Sequence, residues 1–441
     1  MDSSTFSMKT LNKEILRIAI PSIVTNVTIP LLGMVDIAIV GHIGNASHIS
    51  AIALGTMIFN LIYWNFGFLR AGTSGLTAQA FGANDEKEYL NILFQGTIIA
   101  LVAAFFLICL QKPIALLCKQ LIHSKPETIE LMLTYFYIRI WAAPATIGLY
   151  VIKGWFIGMQ NAKAPMWIAT ILNIVNILCS LVLVYGFGAG IAGVAWGTVV
   201  AQYCGMLLAI IFWTTKYGHL WKVLDIKSAL KKQKLIRFFK VNTDIFLRSL
   251  CLIAVFTFIP YISANIGENI LAANTLLLQL FTLTSYIMDG FAYAGESLVG
   301  KYFGAKDTSG LKSVIRGLGI WGFSLAAIFT VTYLFGGEFI LKILTKDTTV
   351  IETAKQYLFW SYLVPFAGFA AFIYDGIYIG ATASTAMRNI MFIATSAFFI
   401  VYYPISSSLE NNALWLAFII FLILRGLLMF VTRKRNILQI F

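Results

Sequence analysis

Residues 18–44 read IAIPSIVTNVTIPLLGMVDIAIVGHIG, an apolar stretch long enough to cross a membrane that contains one carboxylate, Asp36. An aspartate near the centre of a membrane helix costs roughly 2.5–3.5 kcal/mol, so such residues usually face a watery cavity or a partner. Pro21 and Pro30 each remove a backbone donor, which membrane helices tolerate where neighbours or water satisfy the freed carbonyl groups. The stretch predicts a membrane helix with an acid on a transport pathway. A second interpretation places Asp36 in water at the outer interface, since it lies roughly 28 Å along the helix from Arg17.

The composition extends this prediction to the whole chain. Of its 441 residues, 59% are hydrophobic and 12% are charged, with a mean hydropathy of +0.83. These values exclude an ordinary soluble domain and predict an all-α integral membrane protein. The net charge of +13 does not indicate a nucleic-acid partner, because the basic residues gather in connecting segments, as the positive-inside rule requires. The five cysteines are widely spaced and indicate neither a disulfide framework nor a metal site.

Twelve apolar runs are long enough to span a bilayer. They cover roughly 15–40, 48–72, 90–110, 129–153, 165–186, 190–212, 238–260, 270–294, 314–335, 353–380, 389–407 and 413–431. With the N-terminus inside, most basic loop residues fall on the cytoplasmic side. We therefore expect a multi-pass membrane protein with both termini in the cytoplasm.

A basic segment, residues 214–240, divides the spans six and six. We interpret it as a cytoplasmic linker between an N-lobe of residues 1–213 and a C-lobe of residues 241–441. A second interpretation places this linker on the anionic inner leaflet, which attracts basic residues.

The two lobes repeat each other weakly. FGAND at 81–85 recurs as FGAKD at 303–307, and KGWFIG at 153–158 recurs as DGIYIG at 375–380, all at an offset of 222 residues. Because each half has an even number of spans, the repeats run parallel, as in transporters that rock two bundles about a central site.

Six segments of the chain, taken as a set and in order, resemble the multidrug and toxic compound extrusion (MATE) family, in its DinF-like branch. They are MVDIAIVGHIG (34–44), IYWNFGFLRAGTSGLTAQAFGA (62–83), RIWAAPATIGLYVIKGWFIGMQNAKAP (139–165), NTDIFLRSLCL (242–252), DGFAYAGESLVGKYFGA (289–305) and DGIYIGATASTAMRN (375–389). The resemblance implies the MATE fold of the MOP superfamily: twelve helices in two parallel-repeat six-helix bundles. It also implies an exporter of the inner (plasma) membrane that exchanges H+ or Na+ for organic, often cationic, compounds.

For the N-lobe, the resemblance assigns cation coupling to Asp36 and a bend of the first helix to Pro21. Asn176 resembles the amide partner of that acid, and Thr198 resembles another polar lining residue. Ser180 stands where the family usually has a second acid. Because two neighbouring acids would share a proton or hold a sodium ion, the replacement puts a two-carboxylate sodium site in doubt.

For the C-lobe, Asp375 resembles an acid implicated in Na+ binding in some members, so Na+ near Asp36 or Asp375 is a hypothesis rather than a firm metal site. Asp289 is an acid at membrane depth for which a structural and a transport role are both open. Asp244 and Arg248 lie four residues apart, which predicts a structural ion pair within one helix, and a transport role is the alternative. Arg248 is also one of the few basic residues predicted at membrane depth.

These residues predict a secondary active exporter, an H+ or Na+ antiporter of organic, cationic small molecules that works in the bilayer as a monomer without a cofactor. The nearest alternative is a flippase of the same superfamily that moves lipid-linked sugars. Such carriers need cationic residues in the cavity for phosphate and commonly have more than twelve spans. We expect no enzyme, because the sequence contains no Ser/His/Asp set and no metal-spaced histidines.

Overall fold

The computed structural model describes residues 8–41, 46–122 and 124–439, so the end of the MVDIAIVGHIG motif lies outside the described residues. All regular elements in these ranges are helical. The first half contains helices α1 Met8–Gly41, α2 Ala46–Trp64, α3 Gly67–Gly82, α4 Glu86–Cys109, α5 Gln111–Leu121, α6 Pro126–Arg139, α7 Ala143–Gly158, α8 Lys163–Leu181, α9 Gly190–Tyr217 and α10 Ile226–Ala229. The second half contains α11 Lys232–Ile266, α12 Glu268–Gly304, α13 Thr308–Leu344, α14 Thr348–Gly380, α15 Ser384–Leu409 and α16 Asn411–Arg433.

Twelve segments of the described chain are long and apolar enough to cross a membrane. Helices α2 and α3 together form the second segment, and α6 and α7, joined by a 3-10 turn at Ile140–Ala142, form the fourth. Each predicted apolar run lies on one of these segments to within one residue, so the all-α membrane fold is confirmed. The short helices α5 and α10 are connections between spans.

The chain folds as two compact units. The first unit is Val24–Phe238, and the second contains the residues up to Ile23 together with those from Phe239 onward. Helix α1 contributes to both units, and the change of unit lies just after Pro21. The predicted lobes and the predicted bend at Pro21 stay predictions.

The two halves repeat the same local structure at the sequence offset of 222. Asp85 begins α4 by accepting a hydrogen bond of 2.9 Å from the backbone N–H three residues later, and Asp307 begins α13 with the same bond at 2.9 Å. The preceding residues, Asn84 and Lys306, both have a φ of 55°. This left-handed conformation is unusual for lysine, so its recurrence at the same place marks a shared turn.

Helix packing repeats at the same offset. A Cβ atom on Gly154 of α7 would lie 2.2 Å from the carbonyl oxygen of Arg70 in α3. A Cβ atom on Gly376 of α14 would lie 2.1 Å from the carbonyl oxygen of Ala292 in α12. Only glycine permits helices to approach so closely, and small residues commonly serve this role in membranes. The equivalent pair of helices therefore makes a close contact in each half.

The predicted linker is largely helical. Helix α9 is followed by a 3-10 turn to Val223, and α11 begins at Lys232, so only a short stretch containing α10 separates the two spans. Lys87 at the start of α4 pairs with Asp225 at 2.6 Å, and Lys234 pairs with Glu88. These contacts fasten the linker to the first unit at the start of α4.

Candidate transport sites

Asp36 is a buried side chain of α1. It is 4% exposed, and its Oδ1 atom has no hydrogen-bond partner among the described residues. Of the two interpretations left open by the sequence, the buried one is therefore supported. A carboxylate oxygen without a partner in an apolar interior is costly unless it binds a proton, a cation or water.

Arg139 provides the charge that acts on Asp36. It lies at the end of α6, its Nη1 atom donates a hydrogen bond of 2.6 Å to the Tyr135 hydroxyl, and its guanidinium carbon lies 4.8 Å from the ring centre of Phe59. Arg139 attracts Asp36 through its electrostatic field, and the described residues contain no direct ion pair between the two. Arg139 is thus held by aromatic side chains and not by the Asp36 carboxylate.

The structure brings together three other N-lobe residues predicted from the sequence. Asn176 Nδ2 donates a hydrogen bond of 3.0 Å to Thr198 Oγ1, which joins α8 to α9. Ser180, one turn after Asn176, is fully buried, and α9 approaches it so closely that a Cβ on Gly197 would lie 2.3 Å from Ser180 Oγ. Ser180 Oγ and Asn176 Oδ1 have no partner in the described part of the chain. The set offers neutral oxygen atoms but no second carboxylate.

Lys153 lies in α7, immediately before Gly154. It makes no ion pair or hydrogen bond with the residues that the structure describes. A lysine in this position is a cation without a counter-ion on one of the most buried spans of the chain.

Asp375 lies in α14 and contacts two arginines. Its Oδ2 atom accepts hydrogen bonds from Arg248 of α11 and Arg425 of α16. The exposed side-chain fractions are 8% for Asp375, 14% for Arg248 and 4% for Arg425. Two guanidinium groups neutralise this carboxylate, so its contacts do not favour a bound Na+ ion, and the hypothesis of a cation at Asp375 stays a prediction.

Asp289 of α12 belongs to the same cluster of charges. It is half-buried and attracts Arg425 electrostatically. Asp375, Asp289, Arg248 and Arg425 thus come from four helices of the second unit. The described residues contain no group of three His, Cys, Asp or Glu side chains able to hold a metal ion.

The predicted ion pair between Asp244 and Arg248 is wrong. Asp244 pairs with Arg388 of α15 at 2.5 Å and accepts hydrogen bonds of 2.9 and 2.7 Å from Ser384 and Thr385. Arg248 turns instead to Asp375. Spacing along one helix allowed the first pairing, but donors on α15 bind Asp244 and an acceptor on α14 binds Arg248.

Sequence reasoning did not identify Arg425 or Arg139 as parts of the sites. Arg425 is the one charged residue in LWLAFIIFLILRGLLMF, residues 414–430. A single charge inside such an apolar run indicates a site in the protein interior, so the sequence did contain a signal for Arg425. Arg139 gave a weaker signal, because it lies at the end of a helix rather than inside an apolar run.

A family model described as MatE matches residues 21–182 and 245–405, two segments that begin at nearly the repeat offset and cover most of the chain. The chain belongs to the MATE family. Among MATE proteins, DNA damage-inducible protein F of Escherichia coli strain K12 is 35% identical over 429 residues, which are 96% of this chain and 92% of that protein. A probable multidrug resistance protein NorM of Bradyrhizobium diazoefficiens is 25% identical over 343 residues, 73% of this chain and 70% of that protein.

A solved structure described as MATE in the bent conformation matches with a TM-score of 0.83 at 19% identity, over 98% of both chains. This likeness confirms the MATE fold predicted from the sequence. The chain is a multi-pass membrane protein and an efflux transporter of the MATE family.

Proposed function

We propose that this MATE transporter exports small organic molecules in exchange for protons, and that Asp36 is the carboxylate that binds the exchanged proton. The observation that carries this proposal is the burial of Asp36 with an oxygen atom that has no partner among the described residues. A buried carboxylate in this condition gains more from a proton or a cationic ligand than a solvated one does.

Ser180 favours the proton over sodium as the coupling ion. A sodium ion requires several oxygen ligands and is held best where they carry negative charge, whereas a proton needs only one carboxylate oxygen. Ser180 replaces the second acid, and the oxygens offered by Asn176, Thr198 and Ser180 are neutral. Asp36 alone therefore suffices for a proton but supplies a weak sodium site.

The mechanism follows from the charge of Asp36. The ionised carboxylate attracts a positively charged group of the exported molecule in a low-dielectric interior, and a proton arriving from outside removes that attraction. Neutral Asp36 also lowers the cost of a bend of α1 near Pro21, which would reshape the site. Each pH unit across the membrane contributes about 1.4 kcal/mol per proton, and each 100 mV about 2.3 kcal/mol per charge moved. One proton can therefore support roughly a hundredfold gradient of the exported molecule.

The experiment is a flux measurement in proteoliposomes with pH and sodium gradients imposed separately. Wild-type protein should export a fluorescent organic cation with the pH gradient and not with the sodium gradient. Asp36→Asn should remove the response to the pH gradient, and Glu130→Gln, at an exposed acid of α6, should retain it. Flux of Asp36→Asn at the wild-type rate under the pH gradient would contradict the proposal.

A flippase for lipid-linked sugars is the second candidate, and the arginines at Asp375 favour it. The sequence indicated few basic residues at depth, which argued against phosphate recognition, but Arg425 joins Arg248 in the second unit. The twelve spans remain an argument against this function. Movement of a fluorescent polyprenyl-phosphate sugar between leaflets, without export of organic cations, would identify the flippase.

The other expectations from the sequence accompany this proposal unchanged. They are the inner-membrane location, cytoplasmic termini, a monomeric state and the absence of a cofactor.

A further inference from the structure

We propose that Arg248 and Arg425, here called the arginine pair, bind an anionic group of the exported molecule, a carboxylate or a phosphate. Asp375 is the resident counter-ion of this site. The inference rests on the proposed export function and specifies the chemistry of the molecule exported.

The arginine pair uses little of its capacity to donate hydrogen bonds. Among the described residues, each guanidinium group donates one hydrogen bond, from Nη2, to the same Oδ2 atom of Asp375. The Nε atoms of both arginines and the Oδ1 atom of Asp375 are buried without partners among the described residues. Guanidinium groups can donate in pairs to one planar anion, so this site has donors left for a second one.

The repulsion between the two arginines makes a purely structural role expensive. Arg425 and Arg248 repel each other, and one carboxylate oxygen cannot fully offset two buried cations. The attraction of Asp289 to Arg425 balances the net charge of the cluster but does not supply the missing hydrogen bonds at Nε. An anion that accepts these hydrogen bonds would relieve this deficit.

Arg248 is the more accessible member of the arginine pair. Its side chain is 14% exposed, whereas that of Arg425 is 4% exposed, so a ligand would meet Arg248 first. Phe372, whose ring centre lies 5.8 Å from the Arg425 guanidinium carbon, adds an apolar wall beside it. A site with two guanidinium groups beside an aromatic ring suits an aromatic or amphipathic acid.

A residue in the first half of the chain independently supports the binding of an anionic group. Lys153 occupies the position in α7 that Asp375 occupies in α14, and it has no counter-ion in the described residues. Each half thus has a basic group with hydrogen-bond donors to spare near the equivalent close helix contact, at Gly154 or at Gly376. Organic cations alone would not require either group, whereas a molecule with an acidic group would use one of them.

The test compares rhodamine B, which carries a delocalised cation and a free carboxylate, with its ethyl ester, which keeps only the cation. Equilibrium binding to the purified full-length protein is measured in detergent by fluorescence anisotropy, without any gradient. Wild type should bind rhodamine B about tenfold or more tightly than the ester, as expected for charge-assisted hydrogen bonds. Arg248→Gln should reduce this ratio to near one, Arg248→Lys should retain part of it, and Arg316→Gln, at an exposed arginine of α13, should leave it unchanged.

Asp375→Asn provides a second test of the proposal, one that does not depend on the folding of the arginine variants. Removal of the resident carboxylate should tighten rhodamine B binding about tenfold while leaving the ester unchanged. If Asp375 instead held the cationic part of the dye, the same change would weaken both dyes. Equal binding of the two dyes by wild type, or an Asp375→Asn variant without an increased ratio, overturns the proposal.

Competition with bound rhodamine B distinguishes the two anionic groups that the site could bind, a carboxylate and a lipid phosphate. Displacement by benzoate supports a carboxylate, displacement by a short-chain phosphatidate supports a lipid phosphate, and displacement by neither contradicts an anion site. Because binding needs no gradient, a clear preference for rhodamine B without proton-driven flux would overturn the proposed function alone. Proton-driven flux with no such preference would overturn this inference alone.

Discussion

Lys153 and Asp375 occupy equivalent positions in the two halves of the chain but carry opposite charges. Each directly precedes a glycine, Gly154 or Gly376, that lets its helix approach a backbone carbonyl of the neighbouring helix. The local backbone structure is therefore the same in both halves, whereas the side chain at this position is basic in the first half and acidic in the second. The two halves share this local backbone structure and present opposite charges at this position.

The close helix contact at Gly154 should not tolerate a methyl group. In Gly154→Ala the new Cβ would lie 2.2 Å from the Arg70 carbonyl oxygen, so the helices must separate, at a cost of about 1–3 kcal/mol. The measurement is the temperature at which half of the protein remains monodisperse in detergent. Gly319→Ala is the matched control, because nothing lies within 4 Å of its added Cβ, and it should be neutral or slightly stabilising. Equal stability of the two variants would show that the contact is looser than described.

Ser180→Asp should introduce sodium dependence. The change restores a second carboxylate one turn after Asn176, and two acids hold a sodium ion better than one. Flux driven by a sodium gradient, absent from wild type, is the expected result in proteoliposomes. Ser180→Asn has nearly the same shape without the charge and should not respond to sodium. A sodium response in both variants, or in neither, would count against the role of the missing acid.

Arg388→Gln should destabilise the second unit. It leaves Asp244, with a side chain 3% exposed, without its cation, while the bonds from Ser384 and Thr385 remain. We expect a loss of about 2–3 kcal/mol, less than for a fully buried pair because Arg388 is 27% exposed. Thermal unfolding in detergent measures the loss, and the double variant with Asp244→Asn should recover part of it. No recovery would mean that Arg388 acts through packing and not through the charge of Asp244.

The contact between Lys87 and Asp225 should hold the linker at neutral pH and release it in acid. The hydrogen bond from Lys87, with a further one from the Ser228 backbone, lowers the pKa of Asp225 below the ordinary value of 3.8. A carboxylate with a lowered pKa contributes its stabilisation above the ordinary value and loses it as the pH falls through the lowered one.

Hydrogen exchange followed by mass spectrometry measures this contact at neutral pH. Lys87→Gln should speed exchange in residues 224–231, and Lys227→Gln, at an exposed lysine of the same segment, should not. Asp225→Ala should have a larger effect than Asp225→Asn, because only alanine also removes the cap on Ser228. Unchanged exchange in Lys87→Gln would show that Lys234 and Glu88 hold the linker without it.

The sequence by itself determined the twelve spans, the repeat and the family. Long apolar runs predict membrane-spanning helices directly, because each backbone polar group in a bilayer must be satisfied within its own helix. The turns before α4 and α13 are also determined locally. Asp85 and Asp307 cap the helices that follow them, and the FGAND and FGAKD motifs predict these turns without any tertiary contact.

Only the tertiary structure decided which charges meet. Asp36 could be placed at an interface or in the interior from its position along α1, and only the packing of other helices around it buried the carboxylate. The spacing of Asp244 and Arg248 suggested one pair, yet Arg388 and Asp375 proved to be the partners. Arg248, Asp375 and Arg425 lie on three helices far apart in the chain, and the energy of such contacts depends on distance and burial in three dimensions, which spacing along one helix does not contain.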